Sequence, residues 1–166
     1  MDTCGECGYL YDLTAAPAAS REITAGVAAL IKVLKSTDRT TLAQRSSPDL
    51  WSPLEYCCHV RDVLLVQRER ALLARRDDNP VATPMGRDER VIHEGYGAQD
   101  PLEVAMEMLM ASRLMANVLD RLNPADWRRR ITYNFPEPAQ RNLRWLAAHT
   151  LHEVRHHLLD VQRQLG

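Results

Sequence analysis

The sequence is poor in strand-forming patterns and has no excess of charge of either sign. Aromatic residues make up only 5% of it, and valine and isoleucine never form alternating runs. Without such runs we expect a helical fold. The 21 basic and 22 acidic residues give a net charge of −1, so the composition gives no reason to expect a nucleic acid or an anionic membrane as a partner.

The sequence also lacks long apolar runs. None approaches the roughly 20 residues needed to span a bilayer, and residues 1–11 lack the basic start and apolar core of a signal peptide. We therefore expect a cytoplasmic protein, in which thiols stay reduced. The four cysteines would then be free thiols or metal ligands rather than a disulfide framework.

Amphipathic periodicity predicts four long helices in this chain of 166 residues. They cover approximately residues 20–35, 53–76, 101–122 and 139–164. Two long links separate the later helices, at 77–99 and 123–138. Together these features predict an all-α four-helix bundle over residues 20–166, preceded by a tail of residues 1–19.

Capping signals mark where two of the helices begin. Ser52, Pro53 and Glu55 have the sequence of a capping box, and Trp51 with Tyr56 predicts a hydrophobic staple across it. A similar signal, formed by Asp100, Pro101 and Glu103, predicts the start of the third helix. The methionines of that helix are expected to fill the core; they are Met106, Met108, Met110 and Met115.

The two links differ in what their sequences allow. Residues 77–99 predict a long loop with a short helix over 88–93, either a lid or substrate wall or a plain crossover. In 123–138, the string Tyr-Asn-Phe-Pro-Glu-Pro at 133–138 excludes a regular helix.

Four of the six histidines crowd into the last helix, at positions 149, 152, 156 and 157. The string offers two pairs at spacing i, i+4, namely His152 with His156 and Glu153 with His157. This spacing places two side chains on one helix face, one turn apart, which suits a metal ion.

Helical phase separates the two pairs. At about 100° per residue, Glu153 and His157 lie beside the apolar stripe, whereas His152 and His156 lie nearly opposite to it. We predict that Glu153 and His157 point inward as metal ligands. His152 and His156 point outward or into another contact surface, and remain alternative ligands. His149 extends the inner row and is a candidate to orient a ligand or contact a substrate.

A third ligand is expected from a different helix. His59 lies on the mostly apolar second helix, where a buried imidazole needs hydrogen-bond partners or a metal. Asp62 and Asp160 are candidates to orient a ligand. Three ligands leave open coordination positions for one divalent ion, and zinc, nickel or iron would fit. The alternative is a set of solvated surface histidines.

Two blocks of the sequence resemble the DinB-like superfamily, which includes the YfiT-type and the mycothiol-dependent maleylpyruvate isomerase-type proteins. They span 51–62, with the string WSPLEYCCHVRD, and 153–160, with the string EVRHHLLD. The resemblance implies a four-helix bundle with one divalent metal, and it places the ligands at His59, Glu153 and His157. A glutamate at 153 resembles the isomerase branch, but no long C-terminal extension follows.

The resemblance implies three kinds of function. Some members act with a low-molecular-weight thiol such as mycothiol or bacillithiol, so a metal-dependent thiol transferase with a small-molecule substrate is expected. The alternatives are a non-catalytic metal or small-molecule binding module related to stress, and a metal-dependent hydrolase. A homodimer is a further possibility, because the face of His152 and His156 needs a partner.

The cysteines form two pairs of different character. Cys4 and Cys7 resemble half of a zinc knuckle, and a complete structural site needs four ligands. A second metal could be completed by a partner chain or by a histidine such as His93. Otherwise the pair is a redox couple or lies in a disordered tail. Cys57 and Cys58 are predicted to be buried.

Overall fold

Four long helices form the body of the protein. The computed structural model describes residues 2–134 and 137–166. Its helices are α1 (Ala19–Ser36), α2 (Arg39–Ala43), α3 (Pro53–Arg76), α4 (Arg87–His93), α5 (Pro101–Leu119) and α6 (Leu143–Leu165), with single turns of 3₁₀ helix at Ala16–Ala18, Tyr96–Ala98 and Asp126–Arg128.

The long helices pack as a closed ring in the order α1, α5, α3, α6. Helices α1 and α3 therefore lie across the bundle from each other, as do α5 and α6. This arrangement confirms the predicted four-helix bundle. Over the described residues, no helix has the length and apolar character needed to cross a membrane.

The start of α3 is built as its sequence predicts. The Ser52 hydroxyl accepts a hydrogen bond from the Glu55 amide. The Glu55 carboxylate accepts a hydrogen bond from the Ser52 amide at 2.7 Å. Arg45 adds two hydrogen bonds to the same carboxylate, and the rings of Trp51 and Tyr56 lie 5.6 Å apart. This fixed start holds the following turn, which carries the buried His59, against α6.

Helix α5 corrects one prediction. Met108 and Met115 are fully buried, but Met106 and Met110 are 60% and 54% exposed. The two buried methionines are seven residues apart and so share one helix face, whereas the exposed two, four residues apart, lie on another. The face of Met106 and Met110 therefore does not fill the core.

The link before α6 contains a two-stranded antiparallel hairpin that the sequence did not predict. Its strands are β1 (Arg130–Tyr133) and β2 (Ala139–Asn142). Because β2 uses residues 139–142, α6 begins at Leu143 instead of 139. Phe135 and Pro136 of the predicted non-helical string lie outside the described residues.

The loop between α3 and α5 is fixed at both ends. Its helix α4 confirms the short helix predicted over 88–93. Near the start of the loop, Arg70 donates to the Thr83 carbonyl at 2.6 Å. Near its end, Asp62 of α3 accepts hydrogen bonds from Tyr96 and Arg90.

Helices α1 and α6 approach each other closely at Gly26. A Cβ atom at this position would lie 2.6 Å from Cγ1 of Val154, closer than real contacts allow. Val154 is fully buried and directly follows Glu153 in α6. The missing side chain of Gly26 therefore sets the spacing of α1 from the helix that carries the histidines.

Candidate metal centre

Three side chains from α3 and α6 converge on one point. One ligand atom from each of His59, Glu153 and His157 lies within 4.8 Å of the others. Oε2 of Glu153 is 3.6 Å from Nε2 of His59 and 3.6 Å from Nε2 of His157. Ligands bound to one ion at 2.0–2.2 Å in tetrahedral geometry lie roughly 3.3–3.6 Å apart. The spacing of these donors therefore fits a single ion.

His157 is oriented by its surroundings. Its Nδ1 lies 3.0 Å from Oδ2 of Asp160, and its ring stacks on Tyr56. Burial would lower the pKa of His157, but Asp160 and Glu153 outweigh it and raise that pKa to about 9. A carboxylate on the far nitrogen is the usual support of a metal-binding histidine, since it leaves Nε2 to the ion.

His59 and Glu153 supply complementary donors. Burial lowers the pKa of His59, which favours the neutral imidazole that binds metals. Burial would raise the pKa of Glu153, but the imidazoles of His152, His157 and His59 hold it well below its usual value. Nδ1 of His59 is buried and has no hydrogen-bond partner among the described residues. The donor set is thus two imidazoles and one carboxylate.

The second oxygen of Glu153 faces two more of the predicted candidates on α6, His149 and His152. Oε1 lies 3.7 Å from Nε2 of His149 and 3.6 Å from Nδ1 of His152. The hydroxyl of Tyr11 lies 2.9 Å from Nδ1 of both histidines. His149 also stacks on Trp145, and burial lowers its pKa to about 4. His149 is therefore a neutral group beside the centre.

The alternative ligands His152 and His156 face the N-terminal segment. Cys4 lies 3.8 Å from Nδ1 of His156, measured from Sγ, and Cys4, Cys7, His152 and His156 form a second group with ligand atoms within 4.8 Å. Of the two orientations left open by helical phase, the structure has the one in which these histidines meet another surface. His93 is exposed on α4 and belongs to none of the candidate groups that the described residues form.

Asp62 and the paired cysteines of α3 lie apart from the converging donors. Asp62 is held by Arg61, Arg90 and Tyr96, so its contacts connect α3 to the loop before α5. Cys57 and Cys58 are fully buried, as predicted, and burial raises the pKa of both thiols.

A cavity of about 920 Å³ opens beside the centre. Its wall includes the three converging side chains, His149, and the loop residues 84–88. Helix α3 and strand β1 also contribute Arg70 and Tyr133, which pack together with the guanidinium 4.6 Å from the ring centroid. Arg70 also donates to the Tyr133 hydroxyl at 2.8 Å. Sequence reasoning missed Tyr11, Arg70 and Tyr133, since no local pattern links them to α6.

Two solved structures match the fold. YfiT from Bacillus subtilis, described as a probable metal-dependent hydrolase with an unusual four-helix bundle topology, aligns with a TM-score of 0.78 at 14% identity over 91% of this chain and 87% of its own. The mycothiol-dependent maleylpyruvate isomerase aligns with a TM-score of 0.71 at 13% identity over 90% of this chain. This chain spans only 60% of the isomerase.

The sequence itself gives the family. No curated protein matches the chain. The pattern of the DinB superfamily matches residues 22–161, which include α3, α5 and nearly all of α6. The match leaves the N-terminal segment with Cys4 and Cys7 outside it. The chain belongs to the DinB superfamily.

Proposed function

We propose that the protein is a metal-dependent transferase that activates a low-molecular-weight thiol and joins it to a small electrophile. The observation that supports this most directly is the open donor set of His59, Glu153 and His157 in the wall of a cavity of about 920 Å³. Three protein ligands leave at least one position for a substrate atom, as in catalytic sites.

The donor set suits a metal ion of intermediate softness. Two imidazoles and one carboxylate match the preferences of zinc, nickel and iron(II). A divalent ion held there would supply Lewis acidity, lowering the pKa of a thiol or water that reaches an open position.

The roles of the chain's own residues follow from their contacts. Asp160 lies 3.0 Å from Nδ1 of His157 and would hold the ring in the tautomer that leaves Nε2 for a metal ion. Arg70, fixed by Thr83 and Tyr133, places a positive charge in the cavity wall, where it can bind a polar or anionic part of a substrate. The buried thiols of Cys57 and Cys58 have raised pKa values and are poor nucleophiles. Neither of these two thiols therefore serves as the attacking group in this proposal.

The test combines metal analysis with activity. We expect wild-type protein loaded in turn with zinc, nickel and iron(II) to couple a thiol from a panel of low-molecular-weight thiols to an electrophile from a second panel. His59→Ala and His157→Ala should lose the ion bound at this centre and, with it, turnover. His93→Ala, which changes an exposed histidine outside the centre, is the matched control and should keep both.

Two outcomes would contradict the proposal. Metal retained at full occupancy by both His59→Ala and His157→Ala would remove the ligand assignment. Full occupancy without turnover, for every thiol, electrophile and metal in the panels, would favour a non-catalytic binding module instead.

Hydrolysis is the second candidate, and the extent of the likeness to YfiT favours it. This chain spans 87% of YfiT but only 60% of the isomerase. In this case water would take the open position, and His149, a neutral imidazole beside Glu153, would orient it. Turnover of ester or amide substrates without any thiol, lost in His157→Ala, would favour the hydrolase over the transferase.

A further inference from the structure

The N-terminal segment forms a small hairpin that presents two thiols on one side. Thr3 and Leu10 pair as an antiparallel bridge. Inside this bridge, Cys4 donates its amide to the Tyr9 carbonyl, and Gly8 donates its amide to the Cys4 carbonyl, both at 2.9 Å. Gly8 has a φ of +70°, in the left-handed region that favours glycine. The tight turn brings Cys4 and Cys7 together.

The hairpin lies against the face of α6 that carries His152 and His156. Sγ of Cys4 is 3.8 Å from Nδ1 of His156, and ligand atoms from Cys4, Cys7 and both histidines lie within 4.8 Å of one another. A sulfur and a nitrogen bound to one zinc at 2.3 and about 2.05 Å in tetrahedral geometry lie roughly 3.6 Å apart. The four side chains are thus close to the spacing that one zinc ion would impose.

His152 gives an independent sign of a missing partner. The residue is 9% exposed. Its Nδ1 lies 2.9 Å from the Tyr11 hydroxyl, but its Nε2 is buried without a hydrogen-bond partner among the described residues. Leaving such an atom unpaired costs roughly 1–3 kcal/mol. A metal bound at Nε2 would remove that cost.

The far nitrogen of each histidine already has support. Nδ1 of His152 faces Tyr11 and Oε1 of Glu153. Nε2 of His156 lies 3.3 Å from Oε2 of Glu6 and 3.5 Å from Oδ2 of Asp160. Oxygen partners on the far nitrogen fix the tautomer and ring orientation of metal-binding histidines. Both rings are therefore arranged to offer the remaining nitrogen to the thiols.

We propose that Cys4, Cys7, His152 and His156 bind a second metal ion, a tetrahedral zinc that fastens the N-terminal hairpin to α6. Cys4 and Cys7 bind as thiolates and release their protons to solvent. Two thiolates balance the charge of the ion, and four protein ligands fill its coordination, so the site is structural.

The second site shapes the cavity of the first. Residues 4–6 of the hairpin line that cavity, and Tyr11 reaches His149 and His152. Fastening the hairpin therefore fixes one wall of the proposed active site. The two sites share no ligand, although Glu153 and Asp160 each contact a histidine of both sites. Variants of His157 or of the cysteines therefore test one site at a time.

Metal counting gives the first test. Wild-type protein reconstituted with zinc in buffer free of small thiols should bind two ions per chain. Cys4→Ser with Cys7→Ser should bind one, His157→Ala should also bind one, and the combined variant should bind almost none. Two zinc ions retained by the double cysteine variant would overturn the proposal.

Cobalt gives a second test that needs no variant to fold. Only the second site has sulfur ligands, so cobalt-loaded wild type should show thiolate-to-cobalt charge-transfer absorption. The band should persist in His157→Ala and disappear in the double cysteine variant. Its absence from cobalt-saturated wild type would overturn the proposal.

Discussion

Two of the groups of candidate ligands that involve helix α6 differ in construction. The open cluster (His59, Glu153 and His157) joins two long helices of the bundle, and a cavity adjoins it. The closed cluster (Cys4, Cys7, His152 and His156) joins α6 to a hairpin outside the matched family region. Three donors leave room for a substrate, whereas four do not. One helix can thus serve chemistry on one side and anchor a segment on another.

Among the variants, Glu153→Gln is expected to cause the largest difference in metal binding between the two clusters. Its Oε2 faces both histidines of the open cluster at 3.6 Å, so losing its charge should weaken metal binding there by more than about 100-fold, beyond the usual loss for a supporting residue. The closed cluster should keep its thiolate-to-cobalt band. Metal titration followed by absorption measures both.

Glu69→Gln is the matched control, because Glu69 is largely exposed and pairs with its neighbour Arg68. Equal weakening of both clusters by Glu153→Gln would mean that they do not act as separate sites.

Asp160→Asn should have the next largest effect. Asp160 lies 3.0 Å from Nδ1 of His157 but 3.5 Å from Nε2 of His156. We expect metal affinity of the open cluster to fall about 10- to 100-fold, and that of the closed cluster to fall less. Competition with a chelator measures both affinities, and Asp78→Asn, an exposed change, should alter neither. A larger loss at the closed cluster would reverse the assigned role of Asp160.

Glu55→Gln should lower stability without emptying either cluster. The substitution weakens the Arg45 pair and the capping box at the start of α3, which should cost about 1–3 kcal/mol. Thermal unfolding and metal content measure the two effects. Loss of metal at equal occupancy of the folded state would show that this helix start also positions His59.

The same residue predicts a dependence on pH. Burial would raise the pKa of Glu55, but Arg45 and Ser52 hold it below its usual value. Its contribution is therefore present above the unfolded pKa of about 4.3 and is lost as the pH falls through the lower folded pKa. Glu55→Gln should lack this loss between those two pKa values in unfolding measured against pH.

Tyr11→Phe should have the smallest effect. It removes a hydroxyl that bonds to His149 and His152, which should cost about 1 kcal/mol and speed zinc release from the closed cluster. Tyr9→Phe is the matched control, since Tyr9 packs against His152 through its ring. Identical zinc release rates in the two variants would remove the role given to Tyr11.

Local sequence patterns predicted the fold and the inward direction of two candidate ligands, Glu153 and His157. The capping box at Ser52 and Glu55 depends on residues three positions apart, and it is present. Helical phase placed Glu153 and His157 towards the bundle interior, because the apolar residues of α6 recur with the helical period. Their role as ligands remains a prediction, although the structure brings them within reach of His59.

Long-range contacts explain what the sequence could not give. Cys4 and His156 are 152 residues apart, and no periodicity relates a hairpin to the helix face that it covers. The sequence did not predict the β1–β2 hairpin, because each strand is only four residues long. Such a strand is too short for a clear alternation of apolar and polar residues. Met106 and Met110 are apolar, like core residues, but they lie on an exposed face of α5.

Gly26 has a consequence that reaches beyond packing. Val154, which a Cβ at position 26 would strike, is β-branched and so has little rotational freedom to move aside. An added methyl group would therefore push on the backbone of α6 next to Glu153, whose two oxygens face different clusters. Helix α1 gives no side chain to either cluster of the described residues. Helix α1 still influences the geometry of both clusters, because the missing Cβ atom of Gly26 allows it to lie close to α6.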